Sequence, residues 1–262
     1  MKRFCTKTIC LIICSSILFI CIASSASAEQ ACHWYLKRRK GDKPLFPKEA
    51  DLIKEHNVYF IDETVPSDEN EKVIYLTFDA GYENGNVEKI LDALKSENVT
   101  AAFFLLDNII LKNTDLVLRM FNEGHTVCNH TKNHKDLSLC SANEISRNLS
   151  ALEVLCEEKT GHKMSKYFRF PEGNYSINAI KAVDKLGYKT IFWSFAYDDW
   201  DNGRQMDKRK AFSKIIEGTH NGAVILLHPT SATNAEIMQD LIIRWKEMGY
   251  RFGTLDELTS KS

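Results

Sequence analysis

Apolar runs rich in β-branched and aromatic residues alternate with helix-like stretches over most of this 262-residue chain. The alternation starts at Val73, and several of the runs are apolar almost throughout, as strands covered on both faces are. Strands that alternate with helices in this way build a parallel sheet, either doubly wound or closed as a barrel. The predicted strands are 73–78, 100–106, 126–128, 167–168, 189–194, 223–227 and 250–252. The expected fold class is therefore α/β.

Helices are predicted between these strands. They cover 86–97, 113–123, 141–160, 176–186, 208–217 and 233–248. Two of them are expected to begin with capping boxes, Ser141 with Glu144 and Thr233 with Glu236. In such a pair the hydroxyl and the glutamate side chain each accept from one otherwise free N–H group. Helix stops are expected at Gly124, Gly161, Gly187 and Gly249.

The N-terminus has the pattern of a secretory signal peptide. A basic start is followed by an apolar run over 9–23 and then by Ala26-Ser27-Ala28. The run is shorter than the ~20 residues that a membrane-spanning helix needs. We therefore expect a signal peptide over 1–28 and secretion across the cytoplasmic membrane, with membrane anchoring as the alternative if the signal is not cleaved.

Two further segments are expected after the signal peptide. Residues 29–72 are more polar and include the basic run 37–40, so we interpret them as an N-terminal arm laid on a single catalytic domain over 73–258. Four cysteines remain in these segments, and their spacing fits no zinc ribbon and does not decide between free thiols and disulfides. They are Cys32, Cys128, Cys140 and Cys156.

Charge and motifs exclude two classes of ligand. The 34 Lys and Arg against 35 Asp and Glu give a formal net charge of −1, so the chain has no electrostatic reason to bind nucleic acid. The first strand is followed by Phe78-Asp79-Ala80-Gly81-Tyr82, which is neither a Walker motif nor a dinucleotide-binding glycine pattern. We expect a monomer that acts on a ligand without strong negative charge.

Polar side chains follow the ends of successive predicted strands. Asp79 ends the first strand, His130 follows the third, and Arg169 ends the fourth. Asp199 follows the fifth strand and His228 ends the sixth. The loops after the carboxyl ends of barrel strands build the active site of such folds, so these side chains are expected to share one site.

The spacing of His130 and His134 indicates a metal site. Imidazoles at i and i+4 share one face of a helical turn and suit a divalent cation, for which zinc is the best candidate. Asp79 is then the candidate base for a water molecule and His228 the candidate acid, with Arg169 orienting Asp79 and Asp199 holding His228 protonated. This arrangement is typical of metal-assisted hydrolysis of an acyl bond.

Five ordered segments resemble the motifs of the polysaccharide deacetylases, the NodB-homology enzymes of carbohydrate esterase family four. They are Thr77-Phe78-Asp79-Ala80-Gly81, His130-Thr131-Lys132-Asn133-His134, Arg169-Phe170-Pro171-Glu172-Gly173, Asp199-Trp200 and Leu226-Leu227-His228. The resemblance covers about 73–258 and implies a deformed (β/α) barrel of seven or so parallel strands.

The loops resemble one subgroup more closely, the delta-lactam-forming N-acetylmuramic acid deacetylases of spore-forming bacteria. The segments are Tyr82-Glu83-Asn84-Gly85, Arg169 to Ser176, Ser231 to Glu236 and His33-Trp34-Tyr35. The resemblance implies deacetylation of N-acetylmuramic acid in peptidoglycan strands whose peptides have been removed, followed by lactam formation. It places the protein in the cell wall or the spore cortex space.

The resemblance also assigns roles residue by residue. Asp79 matches the base, Arg169 its partner, His228 the acid and Asp199 the partner of the acid, with His130 and His134 as metal ligands. The backbone N–H of Glu172 matches an oxyanion donor, and Leu226 matches a residue of the acetyl pocket. Tyr82, Tyr175 and Trp200 lie in expected mouth loops and are candidates for stacking on a sugar ring.

One departure leaves alternatives open. Most of the family carries a second aspartate where this chain has Ala80, and a methyl group cannot bind a metal. A catalytically lapsed glycan-binding protein is therefore one alternative. A deacetylase of N-acetylglucosamine in wall glycan or chitin is another, because it shares all five motifs.

Overall fold

The computed structural model describes residues 30–39, 42–65 and 71–260. The strands are β1 (Cys32–His33), β2 (Lys37–Arg39), β3 (Asp42–Leu45), β4 (Val58–Tyr59), β5 (Lys72–Ala80), β6 (Ala102–Leu105), β7 (Thr126–Asn129), β8 (Tyr167–Phe168), β9 (Asn174–Tyr175), β10 (Lys189–Ile191), β11 (Ala223–Leu227) and β12 (Tyr250–Phe252). The α-helices are α1 (Ala50–Lys54), α2 (Val87–Ser96), α3 (Asp107–Lys112), α4 (Thr114–Asn122), α5 (Ala142–Thr160), α6 (Ile177–Lys185), α7 (Lys208–Gly218), α8 (Ala232–Glu247) and α9 (Leu255–Ser260). The predicted signal peptide over 1–28 lies outside the described residues.

Eight parallel strands form the central sheet, in the order β11-β5-β6-β7-β8-β10-β4, with β12 also paired to β5. The chain after β10 then crosses to the other edge of this sheet. Ser194 N–H donates to the Val224 carbonyl at 2.9 Å, and Leu226 N–H donates to the Phe195 carbonyl at 2.8 Å. These bonds close the sheet on itself, so the predicted deformed (β/α) barrel is confirmed.

Strand β5 is buried on both faces, as its apolar sequence predicts. Val73 and Tyr75 pack inside the barrel. Ile74, Leu76 and Phe78 pack in the outer apolar cluster, between the sheet and the surrounding helices. Because side chains alternate across a strand, the polar residues at its end continue these two faces. Thr77 and Asp79 therefore fall on the interior face, and Ala80 lies with the outer cluster.

The six predicted helices are confirmed, and only the N-terminal cap of α8 differs from the prediction. Ser141 accepts from Glu144 N–H and the Glu144 side chain accepts from Ser141 N–H, which confirms the first capping box. The second capping box is wrong, because the N-cap of α8 is Ser231, two residues before Thr233, and it accepts from Asn234 N–H. Helices α3 and α9 were not predicted; each has only six residues.

The segment predicted as an arm is built into the barrel. Its strand β4 pairs with β10 as a member of the central sheet, and β1 pairs antiparallel with β9. Trp34 is 1% exposed and stacks on Phe192 with ring centroids 4.7 Å apart. Its indole N–H donates to the Trp193 carbonyl at 3.0 Å, and its backbone N–H donates to the Gly173 carbonyl at 2.8 Å.

The described residues also show the state of the cysteines and the character of the helices. Cys32, Cys128, Cys140 and Cys156 are all free thiols in the described part of the chain. Over the same residues, none of the helices combines the length and the apolar character needed to cross a membrane.

We predict that Trp34→Ala destabilises the whole barrel. Removing a buried tryptophan side chain typically costs about 3–5 kcal/mol, through lost burial and the cavity left behind. The measurement is the free energy of unfolding in denaturant. Tyr35→Ala is the matched control, because Tyr35 is 56% exposed and its loss should cost below ~0.5 kcal/mol. Equal effects of the two changes would show that the arm is not part of the folded core.

Candidate active site

The strand-end residues meet in one cleft at the carboxyl ends of the barrel strands. The cleft has a volume of about 770 Å³. Most of the predicted site residues line it: Asp79, Tyr82, His130, His134, Glu172, Trp200, Leu226 and His228. Arg169 and Asp199 lie directly behind this lining, each bonded to one of its members. Parallel topology thus brings residues from five separate segments to one edge of the sheet.

Arg169 is the buried centre of the site. Its side chain is 0% exposed, and its Nη1 donates to Asp79 Oδ1 at 2.7 Å. Nη2 donates to Thr77 Oγ1 at 2.9 Å, and Nε donates to the Ile191 carbonyl at 2.9 Å. The guanidinium also lies over the Phe104 ring, 4.1 Å from its centroid. A buried charge is tolerated when it is paired and hydrogen-bonded in this way.

Asp79 is held as a carboxylate. Burial acts to raise its pKa, but the Arg169 charge and the nearby imidazoles of His130 and His228 outweigh burial and hold the pKa below its ordinary value. Its side chain remains 9% exposed, at the edge of the cleft. Asp79 can therefore accept a proton from a molecule bound there.

His228 is held in the opposite state across the same cleft. Its Nδ1–H donates to Asp199 Oδ1 at 2.7 Å, and its backbone N–H donates to Asp199 Oδ2 at 2.8 Å. Burial acts to lower the pKa of His228, but the charge of Asp199 and this hydrogen bond outweigh burial and raise the pKa above its ordinary value. Nε2 is left as the ring's remaining polar atom and is available to donate a proton.

A further residue fixes Asp199. Asn234 Nδ2 donates to Asp199 Oδ2 at 2.7 Å and to the His228 carbonyl at 3.1 Å. Asn234 is fully buried near the start of α8, and its Oδ1 accepts from the Tyr197 hydroxyl. The orientation of the His228 ring thus depends on α8 as well as on β11.

His130 and His134 lie together, but not on a helical turn as predicted. Their ring centroids are 5.1 Å apart, and the segment between them is an irregular loop. Thr131 and His134 have φ values of 71° and 58°, so the chain folds back on itself through two left-handed residues. Asn129 Oδ1 fixes this reversal by accepting from Thr131 N–H at 2.9 Å.

The two imidazoles fit a divalent cation as a two-ligand site. His130 Nδ1–H donates to the Arg169 carbonyl at 2.9 Å, which leaves Nε2 with a lone pair. Burial lowers the pKa of His130 to about 4, so the ring is neutral at neutral pH, as a metal ligand must be. Nε2 then faces Asp79 Oδ2 at 3.5 Å, and a cation stabilises two electron-rich atoms placed this close.

The described residues contain no group of three or more His, Cys, Asp or Glu side chains arranged around a metal. Ala80 is fully buried among apolar side chains, so its position offers no ligand. A cation at His130 and His134 would therefore complete its coordination with water or substrate oxygen.

Glu172 lies in a tight turn at the cleft wall. It has a φ of 57°, and Gly173 follows with a φ of 73°. A Cβ on Gly173 would come within 3.0 Å of both Trp193 and Trp34, so glycine is required there. The arm therefore supports this turn directly, since Trp34 N–H donates to the Gly173 carbonyl.

The three aromatic candidates for sugar stacking differ in their exposure. Tyr82 and Trp200 line the cleft and are 43% and 65% exposed, and Asn202 Nδ2 donates to the Tyr82 hydroxyl. Tyr175 is 1% exposed and packs on Phe192, with ring centroids 5.4 Å apart. The prediction that Tyr175 contacts a sugar is wrong, because the strand β9 directs its side chain into the core.

Sequence reasoning gave no site role to several residues of the cleft. His33, Trp193 and Asp198 line the cleft together with the predicted residues. Trp193 had the pattern of a core strand residue, yet the chain leaves β10 before it and turns towards β11. The sequence signal for His33 was its place in the arm motif His33-Trp34-Tyr35.

We predict that Asp199→Asn lowers the pKa of His228. The change removes the charge of Asp199, which is the largest contribution that opposes burial and leaves only the charge of Asp79 to favour the imidazolium, so the midpoint should fall by roughly one unit or more. The measurement is an NMR titration of the His228 ring. Asp198→Asn is the matched control, because Asp198 is exposed and makes no hydrogen bond to His228. A midpoint that is the same in both variants would contradict the assignment of Asp199.

Comparison with known proteins agrees with this geometry. The family model described as polysaccharide deacetylase matches residues 67–191. The peptidoglycan-N-acetylmuramic acid deacetylase PdaA of Bacillus subtilis is 36% identical over 96% of this chain and 95% of its own length. An uncharacterised 30.6 kDa protein of Geobacillus stearothermophilus is 38% identical over 94% of this chain and 92% of its own length.

The solved structure of Bacillus subtilis PdaA, a family 4 carbohydrate esterase, superimposes with a TM-score of 0.82. It is 35% identical and covers 88% of this chain and 98% of its own. Fold, motifs and sequence identity agree: the chain belongs to the polysaccharide deacetylase family and is a deacetylase of the hydrolase class.

Proposed function

We propose that this protein removes the acetyl group from N-acetylmuramic acid in peptidoglycan. The observation that carries the proposal is a pair of oppositely supported groups in one cleft: Asp79 accepts from the buried Arg169 at 2.7 Å, and His228 donates to Asp199 at 2.7 Å. Hydrolysis of an amide needs both a base for water and an acid for the departing nitrogen. The two groups meet this need at the same pH.

The arm supports muramic acid as the substrate. The family model starts at residue 67 and leaves out most of the arm, whereas the match to the muramic acid deacetylase covers 96% of this chain and must include most of the arm. The arm also contributes His33 to the cleft and supports the Glu172 turn through Trp34. The substrate preference is thus assigned to a segment that contacts the site.

In the proposed reaction, Asp79 takes a proton from the attacking water. Its contact with Arg169 keeps the carboxylate ionised and fixes Oδ1, so that Oδ2 is the oxygen available to the water. In this proposal the backbone N–H of Glu172, which lines the cleft, donates to the oxygen of the acetamide as negative charge develops there. One donor of this kind is typically worth about 3 kcal/mol in the transition state.

His228 then donates a proton to the amine that leaves. Asp199 and Asn234 fix the ring, so that Nε2 is presented to the cleft throughout the reaction. Leu226 is 3% exposed in the cleft wall and fits the methyl of the acetyl group. Tyr82 and Trp200 flank the opening and offer faces on which sugar rings can stack.

His130 and His134 are the proposed ligands of a divalent cation, with zinc as the best candidate. When bound, such a cation polarises the acetamide carbonyl as a Lewis acid. The Arg169 carbonyl orients His130 by accepting from its Nδ1–H, and such outer contacts commonly hold a histidine ligand in place.

The product and the location complete the proposal. The freed amine of muramic acid lies close to its own lactyl group, so a delta-lactam can form in strands whose peptides have been removed. We propose that the protein is exported by its N-terminal signal and acts as a monomer in the cell wall or the spore cortex space.

The test is mass spectrometry of glycan treated with the protein and a divalent metal. The substrates are peptide-stripped strands, intact peptidoglycan and chito-oligosaccharides. Loss of one acetyl mass on muramic acid of the stripped strands is the expected result, and a further loss of water would report ring closure. Loss on glucosamine would assign the protein to the general deacetylases, and no loss from any substrate would favour the glycan-binding alternative.

We predict that Asp79→Asn reduces acetate release by at least about 1000-fold, because the base is lost. Retained glycan binding, measured by calorimetry, is expected alongside. Asp198→Asn is the matched control, because Asp198 is an exposed carboxylate of the same cleft to which the proposed reaction gives no role. A comparable loss in the control, or residual activity of Asp79→Asn near that of the unaltered protein, would contradict the assignment.

We predict that chelation removes the activity and that added zinc restores it. His130→Ala and His134→Ala should each lower metal affinity by about 10-fold or more, since the described residues offer this site no third protein ligand to compensate. Metal content after dialysis and acetate release are the two measurements. Activity that survives complete metal removal would refute the two-histidine site.

A further inference from the structure

His33 is a cleft residue that belongs to none of the five motifs. It lies in β1, which pairs antiparallel with β9 so that His33 faces Asn174 across the two strands. The residue is exposed and lines the cleft together with Glu172 and Asp79. It also lies outside residues 67–191, which the family model covers.

The hydrogen bonds of Asn174 determine which proton His33 carries. Asn174 Nδ2 lies 3.3 Å from Asp136 Oδ2 and 3.4 Å from Glu172 Oε2. Carboxylates only accept, so these two contacts require the NH₂ group on that side and leave Oδ1 towards His33. Oδ1 is 2.9 Å from His33 Nδ1, so Nδ1 carries the proton and donates.

In the neutral ring, Nε2 is then a hydrogen-bond acceptor. A neutral imidazole has one donor and one acceptor nitrogen, and the contact with Asn174 makes Nδ1 the donor. The Asn174 amide that holds His33 also contacts two carboxylates, those of Asp136 and Glu172. An acceptor nitrogen among carboxylates attracts a neutral donor and disfavours an anion.

We propose that His33 binds the substrate directly, by accepting a hydrogen bond at Nε2 from a hydroxyl group of the glycan. The inference rests on the proposed function for its substrate class, an uncharged face of a sugar in a peptidoglycan strand. The lactyl carboxylate of muramic acid binds elsewhere in the cleft. Asn174 is a positioning residue that acts through His33.

The experiment measures binding and turnover of peptide-stripped glycan strands. His33→Ala should raise KM about three- to tenfold and leave kcat nearly unchanged, as expected when one hydrogen bond to the bound sugar is lost. Glycan binding is also measured by calorimetry in the Asp79→Asn variant, with and without His33→Ala. The ratio of the two dissociation constants should be the same at low and at high salt. His33→Gln, whose amide oxygen can accept, should recover part of the loss.

Asn174→Ala should weaken binding through His33. Combined with His33→Ala, it should therefore add no further loss, which a double-mutant cycle measures. Tyr35→Ala is the control for a general disturbance of the arm and should leave KM unchanged, because Tyr35 is exposed and outside the cleft lining.

Two results would overturn the proposal. Unchanged binding in His33→Ala would show that the ring does not touch the glycan. A loss that disappears at high salt would show an ion pair with the lactyl carboxylate, and thus the opposite hydrogen-bonding role for Nε2. If the unaltered protein does not bind stripped strands, it is the proposed function that fails. The role of His33 is then decided by comparing the binding of chitotetraose, which has hydroxyls and no carboxylate, to the unaltered protein and to His33→Ala.

Discussion

The buried guanidinium of Arg169 is the interaction on which the rest of the site depends. It is fully enclosed and joins three strands, since it bonds to Asp79 and Thr77 of β5 and to the Ile191 carbonyl of β10 while itself following β8. A buried arginine without these partners would be strongly destabilising, so the barrel interior and the ionised Asp79 require each other. The backbone carbonyl of the same residue orients His130.

The site also brings a proton acceptor and a proton donor into one cleft at the same pH. Asp79 is kept ionised by Arg169, and His228 is kept protonated by Asp199, which Asn234 holds in turn. The two partners lie behind the cleft lining and do not compete for the substrate. Separate pairing of each group is what allows acid and base to coexist in one cleft, because a direct contact between the two would exchange their proton.

Sequence reasoning succeeds here where topology fixes position. Asp79 lies at the end of a strand, His130, Arg169 and His228 each follow one, and a parallel barrel brings all strand ends to one edge. It fails where side-chain direction depends on backbone turns or distant pairing. The helical turn predicted for His130 and His134 is a loop with two left-handed residues, and Tyr175 turns inward because β9 pairs with β1. The cleft position of His33 depends on the same pairing, between residues 141 positions apart.

The most direct test of this account is the pH dependence of kcat/KM for deacetylation of peptide-stripped glycan with metal at saturation. The account predicts a broad plateau. Its acidic limb should lie below the ordinary carboxyl range, where Asp79 becomes protonated, and its basic limb above the ordinary imidazole range, where His228 loses its proton. A profile in which activity rises through the imidazole range and stays high would contradict the account, because it would require His228 to act as a neutral base.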